Sequence, residues 1–293
     1  LAGDDLKKMG HNTADYIHLV AEALKLSFSD RDAFYGDPDF IDVPMQGLLS
    51  ADYTKARRMD IDPGRAWPAM PDAGDPWRFE GRSQPDGYAY EPPPPVYGDT
   101  EPDTSYASVI DRWGNMVSAT PSGGWLQSSP VVPALGFPMT SRAQMFWLED
   151  GLPGTLAPRK RPRTTLTPTM VLRGDAPYMA LGTPGGDQQD QWCTHLFLRH
   201  VHFGMNLQES IDAPGFQTEH FPGSFYPRES DLGHLALEGR FPAAARKDLE
   251  GRGHRVQIEE DWALGRMTAA AKDGPMLKAG ANPRFMQGYA IGR

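Results

Sequence analysis

Between Pro63 and Pro102 about a quarter of the residues are proline, four of them consecutive from Pro92 to Pro95, with glycine and aspartate in many of the gaps. Proline fixes φ and donates no backbone hydrogen bond, so this stretch holds neither a helix nor a central strand and is expected to be an extended or disordered connector. It divides the chain. Helical periodicity precedes it, and at Thr104 an alternating strand pattern begins abruptly. The connector suits a linker between folded parts, and equally a mobile tail leading to a cleavage point, which needs freedom to move once cut.

Before the connector, residues 13–29 read as a helix. Thr13 is a good N-cap, and Ile17, Val20, Leu24 and Phe28 recur at three- and four-residue spacing, placing one apolar stripe on one face. A second helix is expected after Ser50, with Tyr53, Ala56 and Met59 inward and Lys55, Arg57 and Arg58 outward. Gly36-Asp37-Pro38-Asp39 between them is turn chemistry.

After Thr104 the chain reads as hairpins interleaved with helices. Val109 and Ile110 lead through a turn at Asp111 to Asn115 into a strand over 116–120, and residues 169–173 and 178–181 flank Gly174-Asp175. A helix follows Gly185-Gly186-Asp187 with Trp192, Leu196 and Val201 among its apolar positions, and a short one covers 207–211 before Pro214. Residues 243–250 are helical, 256–258 form a strand, and 266–271 and 276–279 pair around Asp273-Gly274. Hairpins cannot build an all-parallel sheet, so the fold class is a layered α/β or α+β arrangement with an antiparallel sheet. There is no internal repeat.

A length of 293 residues suits one large domain or two ordinary ones. Lys plus Arg number 29 against 38 Asp plus Glu, a net charge of -9, and no basic run is interleaved with aromatics, which argues against nucleic acid as a partner. No apolar run approaches the roughly 20 residues that span a bilayer. A single cysteine, Cys193, excludes an internal disulfide. The sequence opens at Leu1 without an initiator methionine and reads as a fragment or processed product, leaving cytoplasmic, periplasmic and secreted locations open.

The residue with the most chemical promise is Thr104. A threonine hydroxyl is a poor nucleophile at neutral pH, but as the first residue of a chain it has its own α-amine as a base. That requires cleavage between Asp103 and Thr104. The run from Thr104 through Ser108-Val109-Ile110-Asp111 and Trp113-Gly114-Asn115 to Thr120 resembles the start of the small subunit of gamma-glutamyltransferases, which are N-terminal-nucleophile enzymes. The resemblance covers nearly the whole chain. His18-Leu19, Glu22-Ala23-Leu24, Phe28, Asp30-Arg31 and Gly36-Asp37-Pro38 look like the end of that family's large subunit. Lys160-Arg161-Pro162-Arg163-Thr164-Thr165, Gly182-Thr183-Pro184-Gly185-Gly186, Asp212-Ala213-Pro214 and Asn282-Pro283-Arg284 are similar to later family segments.

What the resemblance implies is an α+β fold, a four-layer αββα sandwich. Residues 1–62 would be the C-terminal part of the large-subunit region, 63–103 a linker ending at the cleavage site, and 104–293 the small-subunit catalytic region of the same globular domain. Thr104 would attack the Asp103 carbonyl in the precursor and a substrate amide afterwards. Gly185 and Gly186 would supply oxyanion N–H donors, since two glycines ahead of a helix let backbone approach a reacting carbonyl. Ser122 falls where the family has a second threonine bonded to the nucleophile's amine. Thr164 and Thr165 replace two serines that bind the substrate's α-carboxylate, with hydroxyl donors kept.

The sequence departs from the family where the substrate's ammonium is held. Gly123 or Gly124 stands in place of an asparagine, and residues 140–147 contain Arg142 in place of an acidic pair. An ammonium buried without an anion loses binding energy, and Arg142 repels it, so an acyl group with a carboxylate but no amine suits Arg142 better. The expected activity is an autoprocessing amide hydrolase or acyltransferase working through a Thr104 acyl-enzyme. One alternative is a hydrolase resembling the cephalosporin acylases; another is a catalytically silent binding protein with the same fold. The expected partners are a small-molecule amide and the N-terminal remainder of the large subunit, with homo-oligomers open. No cofactor and no metal is expected. His195, His200 and His202 are spaced wrongly for three ligands on one helical face and suit surface or partly buried positions, and Cys193 suits the core.

Overall fold

Thr13 starts the principal N-terminal helix as its side chain requires, its hydroxyl accepting from the Tyr16 N–H at 3.3 Å. The computed structural model describes residues 1–85, 90, 91, 94, 104–124 and 129–292. After a single turn, α1 (Leu6–Met9), the long helix α2 (Ala14–Phe34) runs five residues beyond the 13–29 expected. Its extra turn is fixed by charge. Asp30 Oδ2 accepts from the Tyr53 hydroxyl at 2.7 Å, and Arg31 Nε donates to Asp32 Oδ1 at 3.1 Å. The helix is buried on most of its circumference, Lys25 included, so a single apolar stripe understates how it is enclosed.

α3 (Met45–Leu48) and α4 (Ala51–Met59) follow, Ser50 capping α4 by accepting from the Tyr53 N–H at 3.1 Å. The inward face of α4 differs from expectation. Tyr53 is buried, but Ala56 and Met59 are exposed, and two arginines turn toward the body instead. Arg57 Nη2 lies 3.2 Å from Asp30 Oδ1 and Arg58 Nη2 lies 2.7 Å from Asp4 Oδ1. Carboxylates on neighbouring segments, invisible to local periodicity, select that face.

The described first half of the proline-rich connector holds no α-helix and no strand, yet it is docked. Residue by residue it bonds to the body: Trp67 N donates to Glu22 Oε2 at 2.9 Å, Ala66 N to Arg252 O at 2.8 Å and Gly74 N to Asp30 Oδ1 at 2.9 Å, while Pro71 O accepts from Ser29 Oγ at 2.7 Å. Trp77 opens a 3₁₀ turn (Trp77–Glu80) and is fully buried edge-on to Phe34 at 5.0 Å. Lack of regular structure therefore does not mean freedom here. Residues 86–89, 92, 93 and 95–103 lie outside the described residues. Beneath the connector is a buried polar cluster. His18 Nδ1 meets His254 Nε2 at 2.8 Å, His18 Nε2 meets Asp62 O at 2.8 Å, and Lys25 Nζ pairs with Glu22 Oε1 at 2.6 Å. Ligand atoms of His18, Glu22 and His254 lie within 4.8 Å of one another, and the Lys25 ammonium already provides the positive charge beside that carboxylate.

Beyond Thr104, β1 (Ala107–Ile110) and β2 (Met116–Ala119) form the expected hairpin, Ala107 opposite Ala119 and Ile110 opposite Met116. A two-residue pair, β3 (Val131–Val132) and β4 (Phe137–Pro138), follows. The order continues with β5 (Thr169–Arg173), β6 (Ala176–Gly182), α5 (Gln188–His202), α6 (Leu207–Asp212), β7 (Phe216–Thr218), β8 (His234–Glu238), α7 (Ala243–Gly251), β9 (Arg255–Glu259), β10 (Thr268–Asp273) and β11 (Met276–Ala281). The main sheet has the antiparallel order β11-β10-β6-β5. Met179, Leu181, Ala269 and Ala271 on one face pack on Cys193 and Leu196 of α5 and Leu207 and Ile211 of α6. On the other face lies the hairpin: Ser118 Oγ donates to Leu181 O at 3.3 Å, and the Tyr106 ring fills the space a Gly182 side chain would need. Helices, sheet and hairpin thus stack as three layers.

A second sheet joins the two ends of the chain. β7 is antiparallel to β8, but β8 is parallel to β9, with α7 as the crossover, an arrangement that counting hairpins did not supply. All five residues of β8 are buried, so no alternation marked it. Tyr16, Ile17 and Val20 of α2 share one core with Phe216, Leu235, Leu237 and Leu249. Each such side chain contributes about 1.5–3 kcal/mol when fully buried.

Candidate active site

The β1–β2 ladder continues past its named strands to Thr104. Ser105 N donates to Pro121 O at 3.1 Å, and Thr104 bridges to Ser122. Because side chains alternate along a strand, Thr104, Tyr106, Ser118, Thr120 and Ser122 share the inner face of the hairpin. The Thr104 and Ser122 hydroxyls are 2.8 Å apart, and Tyr106 Oη is 2.7 Å from Ser118 Oγ. Thr104 is buried, and Thr120 Oγ1 is buried with no partner among the described residues. Asp103 lies outside the described residues, and with it the bond expected to be cut.

At the end of β6 the chain turns through Gly185 and Gly186 into α5. Their φ values of 131° and 54° suit glycine, and their carbonyls accept from Gln188 N at 3.0 Å and Gln189 N at 3.3 Å. The Gly185 carbonyl, turned into the helix, sends the Gly186 N–H on the same peptide plane the other way. The Trp192 ring sits 2.5 Å from where a Gly185 Cβ would be.

Asp187, next in the chain, anchors this turn. It takes Arg31 Nη1 at 2.5 Å, Ser224 N at 2.7 Å and Ser224 Oγ at 2.5 Å. Burial opposes its charge, but Arg31, Arg163 and the Ser224 bonds outweigh burial and hold its carboxyl below the usual range. Arg163 completes the network, donating to Ser224 Oγ at 2.5 Å and Asp32 Oδ1 at 3.1 Å. This set was not assigned to the site from sequence. The available signal was the position of Asp187 directly after the glycine pair.

The two adjacent threonines part company. Thr165 is buried with Oγ1 unpartnered among the described residues, while Thr164 is exposed and its Oγ1 accepts from Leu166 N at 3.1 Å. Thr167 N then donates to Gln189 Oε1 at 3.3 Å, tying this segment to the first turn of α5.

Arg142 begins a 3₁₀ turn (Arg142–Met145) folded over Gly123 and Gly124, whose φ values are 79° and 85°. Its Nε lies 3.2 Å from where a Gly123 Cβ would sit and is buried with no hydrogen-bond partner among the described residues. Its guanidinium lies 5.4 Å from the Phe225 ring centroid. Burial lowers its pKa, with Asp187 opposing.

Of the remaining candidates, His195 is fully buried against Phe216 at 4.0 Å, a core position in place of the surface or partly buried one expected. His200 bonds Tyr178 Oη at 2.5 Å and Met205 O at 2.7 Å. Cys193 is in the core, its thiol pushed up to about 12 by burial. Val201, one of the apolar positions of α5, is exposed. No helix among the described residues is long and apolar enough to cross a membrane.

The site is thus a threonine-bearing hairpin stacked on an antiparallel sheet, with a glycine pair at the mouth of the adjoining helix. The chain matches the family profile described as gamma-glutamyltranspeptidase over residues 1–292, and it belongs to that family of N-terminal-nucleophile hydrolases. It is 33% identical over 292 residues to the glutathione hydrolase-like YwrD proenzyme of Bacillus subtilis, covering 98% of this chain and 49% of that protein. The solved structure titled LmbA2991HD is 46% identical with a TM-score of 0.83, covering 97% of this chain and 49% of that one. Cephalosporin acylase from Bacillus halodurans is 27% identical with a TM-score of 0.73, covering 93% and 44%. The chain thus spans about half the length of these relatives.

Proposed function

We propose that this chain is the catalytic portion of an autoprocessing amide hydrolase or acyltransferase whose nucleophile is Thr104. The observation that carries the reading is the 2.8 Å approach of the Thr104 and Ser122 hydroxyls at the inner end of the hairpin. In the precursor, Thr104 Oγ1 adds to the Asp103 carbonyl, the C–N bond breaks, and an ester joins Asp103 to the hydroxyl while the α-amine is freed. Water opens the ester, leaving an Asp103 carboxylate and an N-terminal threonine.

That amine, with a reference pKa of about 7.7–8.0, is at least about half free base near pH 8. It accepts the hydroxyl proton as Oγ1 attacks a substrate amide and hands it to the departing amine. Ser122 orients the hydroxyl and amine. The N–H groups of Gly185 and Gly186 face the developing oxyanion, and Thr165 offers a buried hydroxyl to the substrate. Thr164, exposed and engaged with Leu166, takes a lesser part. Water or an amine then resolves the acyl-enzyme. In the longer protein, a further helical layer over the hairpin would complete an αββα sandwich.

Intact-mass analysis of the full-length protein tests this. Two fragments meeting at Asp103–Thr104 are expected, with a single uncut species for Thr104→Ala. An uncut wild-type protein that hydrolyses no amide would instead identify a silent binding protein. The resemblance to an acylase favours a second reading in which the acyl group is not γ-glutamyl.

A further inference from the structure

We infer that Tyr106 is a positioning residue for the reaction: its ring and hydroxyl clamp the hairpin onto β6 and so set how far the Thr104 hydroxyl stands from the Gly185–Gly186 turn. The inference rests on the Thr104 acyl-enzyme reading and adds to it a residue that acts through the backbone it holds.

The inner face of the hairpin has an unusual composition for a surface packed on a sheet, which is ordinarily apolar. The inward positions Thr104, Tyr106 and Ser108 on one strand and Ser118, Thr120 and Ser122 on the other all carry a hydroxyl, while Val109 and Val117 point outward and are exposed. Hydroxyls withdrawn from water are costly unless bonded, so the bonds they make decide how the two layers sit.

One hydroxyl chain reaches across to β6. Ser118 Oγ donates to Leu181 O at 3.3 Å, which commits its only proton, so in the 2.7 Å contact between Tyr106 and Ser118 the phenol is the donor. Burial pushes the Tyr106 phenol up to about 12 against its bonds with Ser118 and Ser108, so the donating proton stays in place while the Thr104 amine titrates. The ring makes a second contact. A Cβ on Gly182 would collide with three atoms of the Tyr106 ring, so the ring lies directly on the Gly182 backbone, and a residue without a side chain is what admits it. Tyr106 therefore holds two successive residues of β6, Leu181 through Ser118 and Gly182 directly.

Both attachments lie close to the reacting groups along stiff backbone. Thr104 is two residues, roughly 7 Å, back along the strand from Tyr106. On the other side only Thr183 and Pro184 separate Gly182 from Gly185. Pro184 restricts its own φ and the conformation of Thr183, and Thr183 is fully buried with its hydroxyl donating to Pro184 O at 2.7 Å. A shift of the ring on Gly182 is thus passed to the glycine turn rather than absorbed, and misplacement of reacting groups by about 1 Å costs on the order of a hundredfold in rate.

The test uses processed full-length enzyme with γ-glutamyl p-nitroanilide and glutaryl p-nitroanilide as probes, following anilide release and the acyl mass on the Thr104 fragment. Tyr106→Phe keeps the ring and deletes the bond to Ser118; Ser118→Ala deletes the same bond from the other side. Each is expected to lower kcat about ten- to a hundredfold with KM within about twofold of the wild type. Because the two act through one bond, the double variant should be no slower than the slower single one. A kcat within about twofold of the wild type in Tyr106→Phe, a loss carried by KM rather than kcat, or losses that multiply in the double variant overturn the inference while leaving the nucleophile in place. Anilide release with no acyl mass on Thr104, or no release from either compound, overturns the nucleophile reading and the inference with it. Should Tyr106→Phe not fold, Ser118→Ala decides by the same split between kcat and KM.

Discussion

Arg31 Nη1 lies 2.5 Å from Asp187 Oδ1, so the last turn of α2 grips the residue that follows the glycine pair. The pair is deeply buried, and removing one partner strands a charge in the interior. Arg31→Ala is expected to cost about 3–5 kcal/mol of unfolding free energy. Arg31→Lys recovers little, because one guanidinium serves Asp32, Asp187 and Pro222 O at once. Urea unfolding measures both; a loss under about 1 kcal/mol in Arg31→Ala would show that the pair does not secure this turn.

Ser122→Ala leaves the Thr104 hydroxyl without its 2.8 Å neighbour. A fall in kcat of about ten- to a hundredfold, with little change in KM, is expected, and Ser122→Thr should restore most of it. Steady-state kinetics on processed enzyme decides the point.

Two glycine substitutions separate space from backbone. Gly185 has φ 131° with Trp192 2.5 Å from its Cβ position, whereas Gly174 has φ 61° and nothing within 4 Å. Gly174→Ala should cost about 1 kcal/mol through backbone strain alone and leave kcat unchanged. Gly185→Ala should cost more and suppress turnover, since Trp192 and the N–H pair must both move. Equal effects on the two would detach the glycine pair from catalysis.

Burial lowers the pKa of His11 and His220 to about 4 and of His254 to about 2, with neighbouring cations adding to the effect. The unfolded chain takes up protons near pH 6.5 while the folded chain does not. Stability is therefore full above pH 6.5 and falls on acidification, by about 1.4 kcal/mol per pH unit for each such histidine. The His11 and His220 contributions level off near pH 4, and that of His254 continues lower. Unfolding free energies from pH 7.5 to 4.5 should show this slope, and His254→Gln should reduce it by close to one proton's worth. A flat profile would contradict the burial of these rings.

Local chemistry made part of the molecule legible. Thr13, the spacing through Phe28, and the turns at Asp111 and Gly174 each act within a few residues, so the helix and the hairpins could be read directly. The inward face of α4 could not, because Arg57 and Arg58 answer to Asp30 and Asp4 on other segments. β8 was hidden by burial on both faces. At the site, the match to a family pointed to Thr104, Ser122 and the glycines, but nothing in the sequence separated Thr165 from Thr164, which differ in burial and in hydrogen bonding. The network of Asp187 with Arg31 joins positions far apart along the chain, and no local pattern announces it.

The core shared by α2 with β7, β8 and α7 has a thermodynamic corollary. Hydrophobic residues from both sides of Thr104 interdigitate there, and the docked connector adds hydrogen bonds from the N-terminal side. If the backbone is severed before Thr104, neither piece retains this interior by itself, and unfolding becomes a dissociation. Its midpoint should rise with protein concentration, whereas an uncut Thr104→Ala chain melts at one temperature at any dilution. Maturation would convert a unimolecular folding equilibrium into a bimolecular one, and a nicked molecule once melted would have to find its other half again.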